Sequence, residues 1–300
     1  MVSARRVVYA ALVGNLLVAA TKTVAAILSG SSAMLSEAVH SAVDSVNEIL
    51  LLYGIHRSKR PAHPDHPLGH GRELYFWSFV VALLVFALGA GVSIYQGIVH
   101  LRHPEPITKP TINFIVFGLA AVFEGWSWLI ALKEFKKIKG SRGVIEAIEE
   151  SKDPPSFMVL FEDSAALVGI LIAAIATLLS SKFGFVAADG IASILIGLIL
   201  GAIATALAHE SKSLLIGEQA TPELRRDIAR IAKDSSKVTD LHLVFAVHLA
   251  PEEIVVALSL RFPDDLRSPE IASQIHGIEQ SIRRVHPEVV AVFVRPEIRS

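Results

Sequence analysis

Cysteine is absent from this chain. Disulfides, thiolate metal sites and cysteine nucleophiles are therefore excluded, and any metal must be held by His, Asp and Glu. Charge is scarce too. Asp, Glu, Lys and Arg make up 19% of the 300 residues, and the net charge of -1 gives no basis for binding nucleic acid. The HExxH motif, with which zinc proteases combine two ligands and a base, does not occur, and there is no low-complexity segment. What is plentiful is apolar: 52% of residues are hydrophobic and the mean hydropathy is +0.52. That is the composition of a multi-span membrane protein rather than of an ordinary soluble enzyme.

Six apolar stretches approach the roughly 20 residues that a spanning helix needs, at about 7–29, 33–55, 74–100, 111–133, 157–180 and 185–208. The run from Val7 to Leu28 follows Arg5 and Arg6 and is long enough to be a membrane helix rather than a cleaved signal. The second stretch is the least apolar. Lys and Arg fall mostly in one set of connections: Arg5 and Arg6, then Arg57, Lys59, Arg60 and Arg72, then Lys133, Lys136, Lys137, Lys139, Arg142 and Lys152. The opposite loops hold Arg102, Lys109 and Lys182. This asymmetry predicts cytoplasmic N- and C-termini, or the equivalent compartment of an organelle. No targeting segment is evident, which makes a prokaryotic inner membrane the default location.

Near Glu210 the composition changes to that of a small soluble domain. "TPELRRDIARIAKDSS" has helical spacing after Thr-Pro, "LHLVFAVHL" and "EIVVALSLRF" read as strands around "APEE", "SPEIASQIHGIEQSIRRV" is a second helix, and "VVAVFVRP" a last strand. The expected fold is six transmembrane helices, all-α, over residues 1–210, followed by an α+β domain of order α-β-β-α-β over 211–300.

Ionisable residues at bilayer depth are costly, about 2.5–3.5 kcal/mol each on insertion scales, and need a partner or a function. His40 and Asp44 in "HSAVD" are four apart, one turn along one helix face. An imidazole and a carboxylate so placed can share a divalent cation, and their nitrogen and oxygen suit zinc and its neighbours. Further ligands must come from another span. Glu162 and Asp163 interrupt the fifth, pointing about 100° apart, so that one binds while the other orients or neutralises. Glu124 lies in the fourth span, Asn15 and Lys22 in the first, and Asp189 near the start of the sixth. Asn15 and Lys22 read as packing or charge balance, Asp189 as a helix-start residue, and Glu37 and Glu48 as polar groups near the ends of span two. The loop "RPAHPDHPLGHGRE" brings His63, His66 and His70, with Asp65, within eight residues. It is either a solvated turn or a surface metal site. His242, His248, His276 and His286 are scattered and suggest no site.

These features together resemble the cation diffusion facilitator family of metal efflux transporters: six spans, HxxxD in the second, "HPLGHG" after it, "EDSAA" in the fifth and a C-terminal α-β-β-α-β domain. "ESKDPPSFMVLFEDSAALVGILIA" is similar to the branch that includes the animal zinc transporter nine. The resemblance implies a homodimer in a lipid bilayer, not an enzyme, that exports a divalent cation, Zn²⁺ first, against protons. It implies no prosthetic group. The implied transport site is His40, Asp44 and Asp163, and the implied loop site His63, His66 and His70. Where the family commonly has a fifth-span histidine, this chain has Val159, which leaves Glu162, Glu124 or a water to replace it. Ser259 and Arg295 stand where relatives carry interface histidines, so the C-terminal domain is expected to dimerise without a bound metal. The alternative is a transport-inactive membrane scaffold or metal sensor of the same fold.

Overall fold

The computed structural model describes residues 2–29, 32–104, 110–140, 143, 147, 152–234 and 237–297, and within them the side chains of residues 2, 3, 26, 28, 29, 32–40 and 138 lie outside the description. Among the described residues six long helices come first: α1 (Val2–Ser29), α2 (Ser32–Arg57), α3 (Glu73–Arg102), α4 (Pro110–Lys139), α5 (Pro154–Phe183) and α6 (Ala188–Ile216). Among the described residues five of them, all but α2, are long and apolar enough to cross a membrane. α2 has the length, 26 residues, but carries Glu37, Asp44 and Glu48. Large apolar side chains such as Ile115, Val122, Leu129 and Leu171 are more than half exposed. In water they would be a liability; against lipid they are at home.

The helix ends follow local chemistry. Pro154 and Pro155 open α5, where their missing N–H groups have no helical partner to lose. Gly184, at φ +68°, closes it in the left-handed conformation that costs glycine least. A π-helical segment, Val85–Gly91, interrupts α3 and was not legible in the sequence. α1 packs on α2, α4 and α5, α4 packs on α5, and α2 packs on α3. The approach of α3 to α6 is made by small residues. A Cβ on Gly97 would lie 2.7 Å from the Gly190 carbonyl oxygen and the Ile194 Cγ1 and 2.9 Å from the Ile194 nitrogen, so the backbones come close where Gly97 and Gly190 carry no side chain.

The chain divides into two compact units. One is Met1–Lys59 with Glu73–Lys212, the other Arg60–Arg72 with Ser213–Ser300. The loop after α2 thus groups with the C-terminal residues rather than with the helices flanking it. Gly71 shows why it is seated there: a Cβ would lie 2.7 Å from Glu253 Oε2 and 2.9 Å from the Leu249 carbonyl oxygen.

In the second unit α7 (Pro222–Lys233) is capped by Thr221, whose hydroxyl accepts from the Leu224 N–H. Then come β1 (Asp240–Ala250), β2 (Glu253–Arg261), α8 (Ser268–Val285) and β3 (Val289–Glu297). At the start of α8 the Glu270 carboxylate accepts from the Arg267 N–H at 3.0 Å. The sheet order is β1-β2-β3, with β1 and β2 antiparallel and β2 and β3 parallel. One sheet face, with Ala246, Val256 and Leu258, joins Ile228, Ile278 and Ile282 of the helices in a buried core. On the other face Phe245, Ala257 and Phe293 align in register. Phe293 is 57% exposed, and Leu243 and Phe245 are exposed beside it.

Candidate functional site

Helix periodicity puts residues 40, 44 and 48 on one face of α2. The backbone of His40 lies in α2, while its side chain, like that of Glu37, lies outside the described residues. Asp44 is half-buried. Glu48 and Asn47 are buried, and so is Asp163 on α5. Two amide–carboxylate hydrogen bonds join α2 to its neighbours: Asn15 Nδ2 of α1 donates to Glu48 Oε1 at 2.9 Å, and Asn47 Nδ2 donates to Glu162 Oε1 of α5 at 3.3 Å. Lys22 Nζ donates to Ser41 Oγ at 2.8 Å and lies within electrostatic reach of Glu124. Trp128 Nε1 donates to Ser164 Oγ at 2.9 Å, tying α4 to α5 next to Asp163.

Five carboxylates gather around these bonds. Glu48 lies within electrostatic reach of Asp44 and Glu162, Glu162 of Asp163 and Glu124, and Glu124 of Asp163 and Asp44. Asp163 lies beside Ser127 of α4, and its Oδ2 is buried with no partner at hydrogen-bond geometry among the described residues. Val159, one turn before Asp163, is fully buried and supplies no ligand. The helices bring Asp44, Glu162 and Asp163 within electrostatic reach of one another's neighbours, together with Glu48, Asn47 and Glu124. Glu48, which lies near the end of span two by sequence, is buried and bonded to Asn15. Its i+4 spacing from Asp44 is the sequence signal for it. Asp189 opens α6 and faces His100 of α3 at 3.0 Å.

Among the described residues, the group of three potential metal ligands whose atoms all lie within 4.8 Å of one another is His63, His66 and His70. A tight turn builds it. The backbones of His63 and His66 bond reciprocally, at 3.2 and 2.8 Å, and Gly69 at φ +80° turns the chain back so that its N–H donates to the His66 carbonyl oxygen. The Nε2 atoms of His63 and His70 are 3.1 Å apart, and the His66 and His70 rings stack with centroids 4.5 Å apart. Two nitrogens each about 2.0–2.1 Å from one tetrahedral ion are separated by little more than this. Partial desolvation, and then the charge of His66, His70 and Arg60, push the His63 pKa below its ordinary value, which favours the neutral, ligating ring. The loop's flanks are clasped: Arg57 at the end of α2 pairs with Glu73 at the start of α3, with Nη2 to Oε1 at 2.6 Å and Nε to Oε2 at 2.9 Å.

The other C-terminal histidines have local partners. His248 Nδ1 lies 3.2 Å from the Ala250 carbonyl oxygen, His276 bonds Gln280, His286 faces Glu288, and His242 stands 3.3 Å from Glu297. Ser259, where relatives were expected to have a histidine, donates to Glu297.

Comparison with known proteins covers most of the chain. A family model described as the cation efflux transmembrane domain matches residues 8–216. The chain is 32% identical over 235 residues to the proton-coupled zinc antiporter SLC30A9, mitochondrial, of Xenopus laevis, covering 78% of this chain and 42% of that protein. It is likewise 32% identical over 240 residues to metal tolerance protein C4 of Arabidopsis thaliana, covering 79% of this chain and 52% of the relative. The manganese efflux system protein MneP of Bacillus subtilis is 25% identical over 221 residues, 73% of this chain and 71% of its own length. The chain thus spans about half, or less, of the first two relatives.

Proposed function

Because the chain belongs to the cation efflux family, we propose that it carries a divalent metal cation, Zn²⁺ first, across a membrane in exchange for protons. The observation that carries this reading is the meeting of Asp44, Glu162 and Asp163, from α2 and α5, within electrostatic reach inside otherwise apolar helices. Carboxylates gathered at such depth are expensive unless a cation visits them. The cargo binds His40, Asp44 and Asp163, with Glu162 as the neighbouring carboxylate, in a path formed by six spans including α2. Ligation needs a neutral imidazole and ionised carboxylates, so protons compete with the cation, and a proton gradient drives exchange. The family's proton-coupled zinc antiporter and manganese efflux protein support the class of cargo and leave Mn²⁺ as its second candidate.

His63, His66 and His70 bind a further divalent ion, for which three converging imidazoles are the support. The protein works as a homodimer. The exposed apolar sheet face with Leu243, Phe245 and Phe293 offers the surface, with no metal there because Ser259 and Arg295 are not ligands of Zn²⁺. Both termini face the cytoplasm or the equivalent compartment, by the bias of Lys and Arg.

The test is uptake of Zn²⁺, Mn²⁺, Co²⁺ and Fe²⁺ by proteoliposomes holding the purified chain, with and without a pH gradient. Flux that follows the gradient and vanishes in Asp44→Ala is the expected result. Absence of flux of every ion from folded protein would overturn it and favour a membrane scaffold or metal sensor, the reading that the missing imidazole at Val159 supports.

A further inference from the structure

The hydrogen bonding around α2 leaves two acceptors over. Glu48 is 1% and Asn47 2% exposed, and each makes one side-chain bond, to Asn15 and Glu162 respectively. Their remaining oxygens, Glu48 Oε2 and Asn47 Oδ1, are buried and meet no donor among the described residues. A buried polar atom left in this state costs about 1–3 kcal/mol. The charged groups nearest Glu48 do not help, because Asp44 and Glu162 are themselves carboxylates. Asn15 gives Glu48 Oε1 its side-chain N–H, and Oε2 is the oxygen left over. Glu162 is the common neighbour, bonded to Asn47 and within electrostatic reach of Glu48. Acceptors accumulated without donors are what a cation requires, since one ion takes several oxygens at once and supplies the missing positive charge.

We propose that Glu48, Asn47 and Glu162 form a second cation position in the membrane domain, distinct from His40, Asp44 and Asp163 and built only of carboxylate and amide oxygens. Its purpose rests on the carrier reading above: it is a resting place for the same cargo. Glu48 lies one turn, about 6 Å, from Asp44 toward the Arg57 end of α2, and Glu162 is one residue nearer than Asp163 to the Pro154 end of α5. Those two ends border the connections rich in Lys and Arg. The second position is therefore the one a cation meets first from that side. An oxygen-only set suits Mn²⁺ better than it suits Zn²⁺, whereas the histidine-containing set does the reverse. Asn15 is a positioning residue here, acting through Glu48.

Mn²⁺ is thus the probe. The experiment measures its binding to the full chain in detergent micelles by loss of the free-ion paramagnetic resonance signal, with the loop histidines replaced by alanine to remove their contribution. Glu48→Gln should weaken binding by at least the roughly tenfold that even an outer-shell change costs a metal site. Asn47→Asp, which puts a charge where the idle amide oxygen lies, should strengthen it, and Asp44→Asn should leave this position in place. Binding unchanged in both Glu48→Gln and Asn47→Asp overturns the proposal. The two readings fail separately. Binding that depends on Glu48, in a protein with no flux, removes the carrier and keeps the second position; gradient-driven flux with binding indifferent to Glu48 and Asn47 does the opposite.

Discussion

The amide of Asn15 on α1 donates to the carboxylate of Glu48 on α2 at 2.9 Å, with both side chains buried. The bond joins two helices through the groups that hydropathy would least expect inside them. Asn15→Ala leaves Glu48 without its donor, and we expect a loss of about 1–3 kcal/mol, read as a lower thermal unfolding midpoint in detergent. Asn15→Asp, which sets carboxylate against carboxylate, should lose more. A midpoint unmoved in both variants would mean that the pair contributes nothing to helix association.

Val159 occupies the turn before Asp163 and is fully buried. Val159→His should add an imidazole to the path and raise the ratio of Zn²⁺ to Mn²⁺ uptake, because nitrogen ligands favour zinc. The larger ring should also cost about 1–3 kcal/mol of stability from overpacking. Uptake ratios in proteoliposomes decide the matter, and an unchanged ratio would show that position 159 does not face the cation.

The loop site should respond to pH in a defined direction. His63 sits below the ordinary histidine pKa, because of desolvation first and then the charge of His66, His70 and Arg60. As pH falls it therefore takes its proton later than a free histidine, whose pKa is about 6.5, and stays a ligand longer. Arg60→Ala removes one of those charges and should raise the His63 pKa toward the ordinary value, measured by NMR titration of the metal-free protein. The sign for stability without metal follows. The folded state binds this proton less readily than the unfolded chain, so His63 destabilises the fold only as pH drops below the ordinary value. The same His63 pKa in both proteins would remove Arg60 from the account.

Gly97 and Gly125 make a paired test of the membrane packing. A Cβ on Gly97 would meet backbone atoms of α6 at 2.7 and 2.9 Å, whereas one on Gly125 would meet nothing within 4 Å. Gly97→Ala should therefore destabilise by about 1–3 kcal/mol and Gly125→Ala should not, since replacing a helical glycine by alanine alone is favourable. Equal unfolding midpoints would contradict the close approach of α3 and α6.

Periodicity and chain chemistry made the six long helices and the α-β-β-α-β order legible, because both are local: a run of apolar residues, or alternation closed by a turn, needs no knowledge of what it packs against. The Thr-Pro and Ser-Pro helix starts lie within two residues of the observed ones for the same reason. Spacing also marked His40 with Asp44, and the three loop histidines, since residues within one turn or one tight loop are neighbours wherever the rest of the chain goes. The acidic pair at 162 and 163 stood out by contrast with its apolar surroundings.

The pairings between helices were decided only by tertiary structure. That Asn15 serves Glu48, that Asn47 reaches across to Glu162, and that the loop of Arg60–Arg72 groups with the C-terminal sheet all depend on helix rotation and on contacts between residues far apart in sequence. The π segment of α3 belongs with them, for no local pattern announces one extra residue in a turn. Sequence alone determined which polar groups enter the membrane. Packing decided which of them meet a partner and which buried oxygens meet none, because that choice is made by geometry between elements and not by order within them.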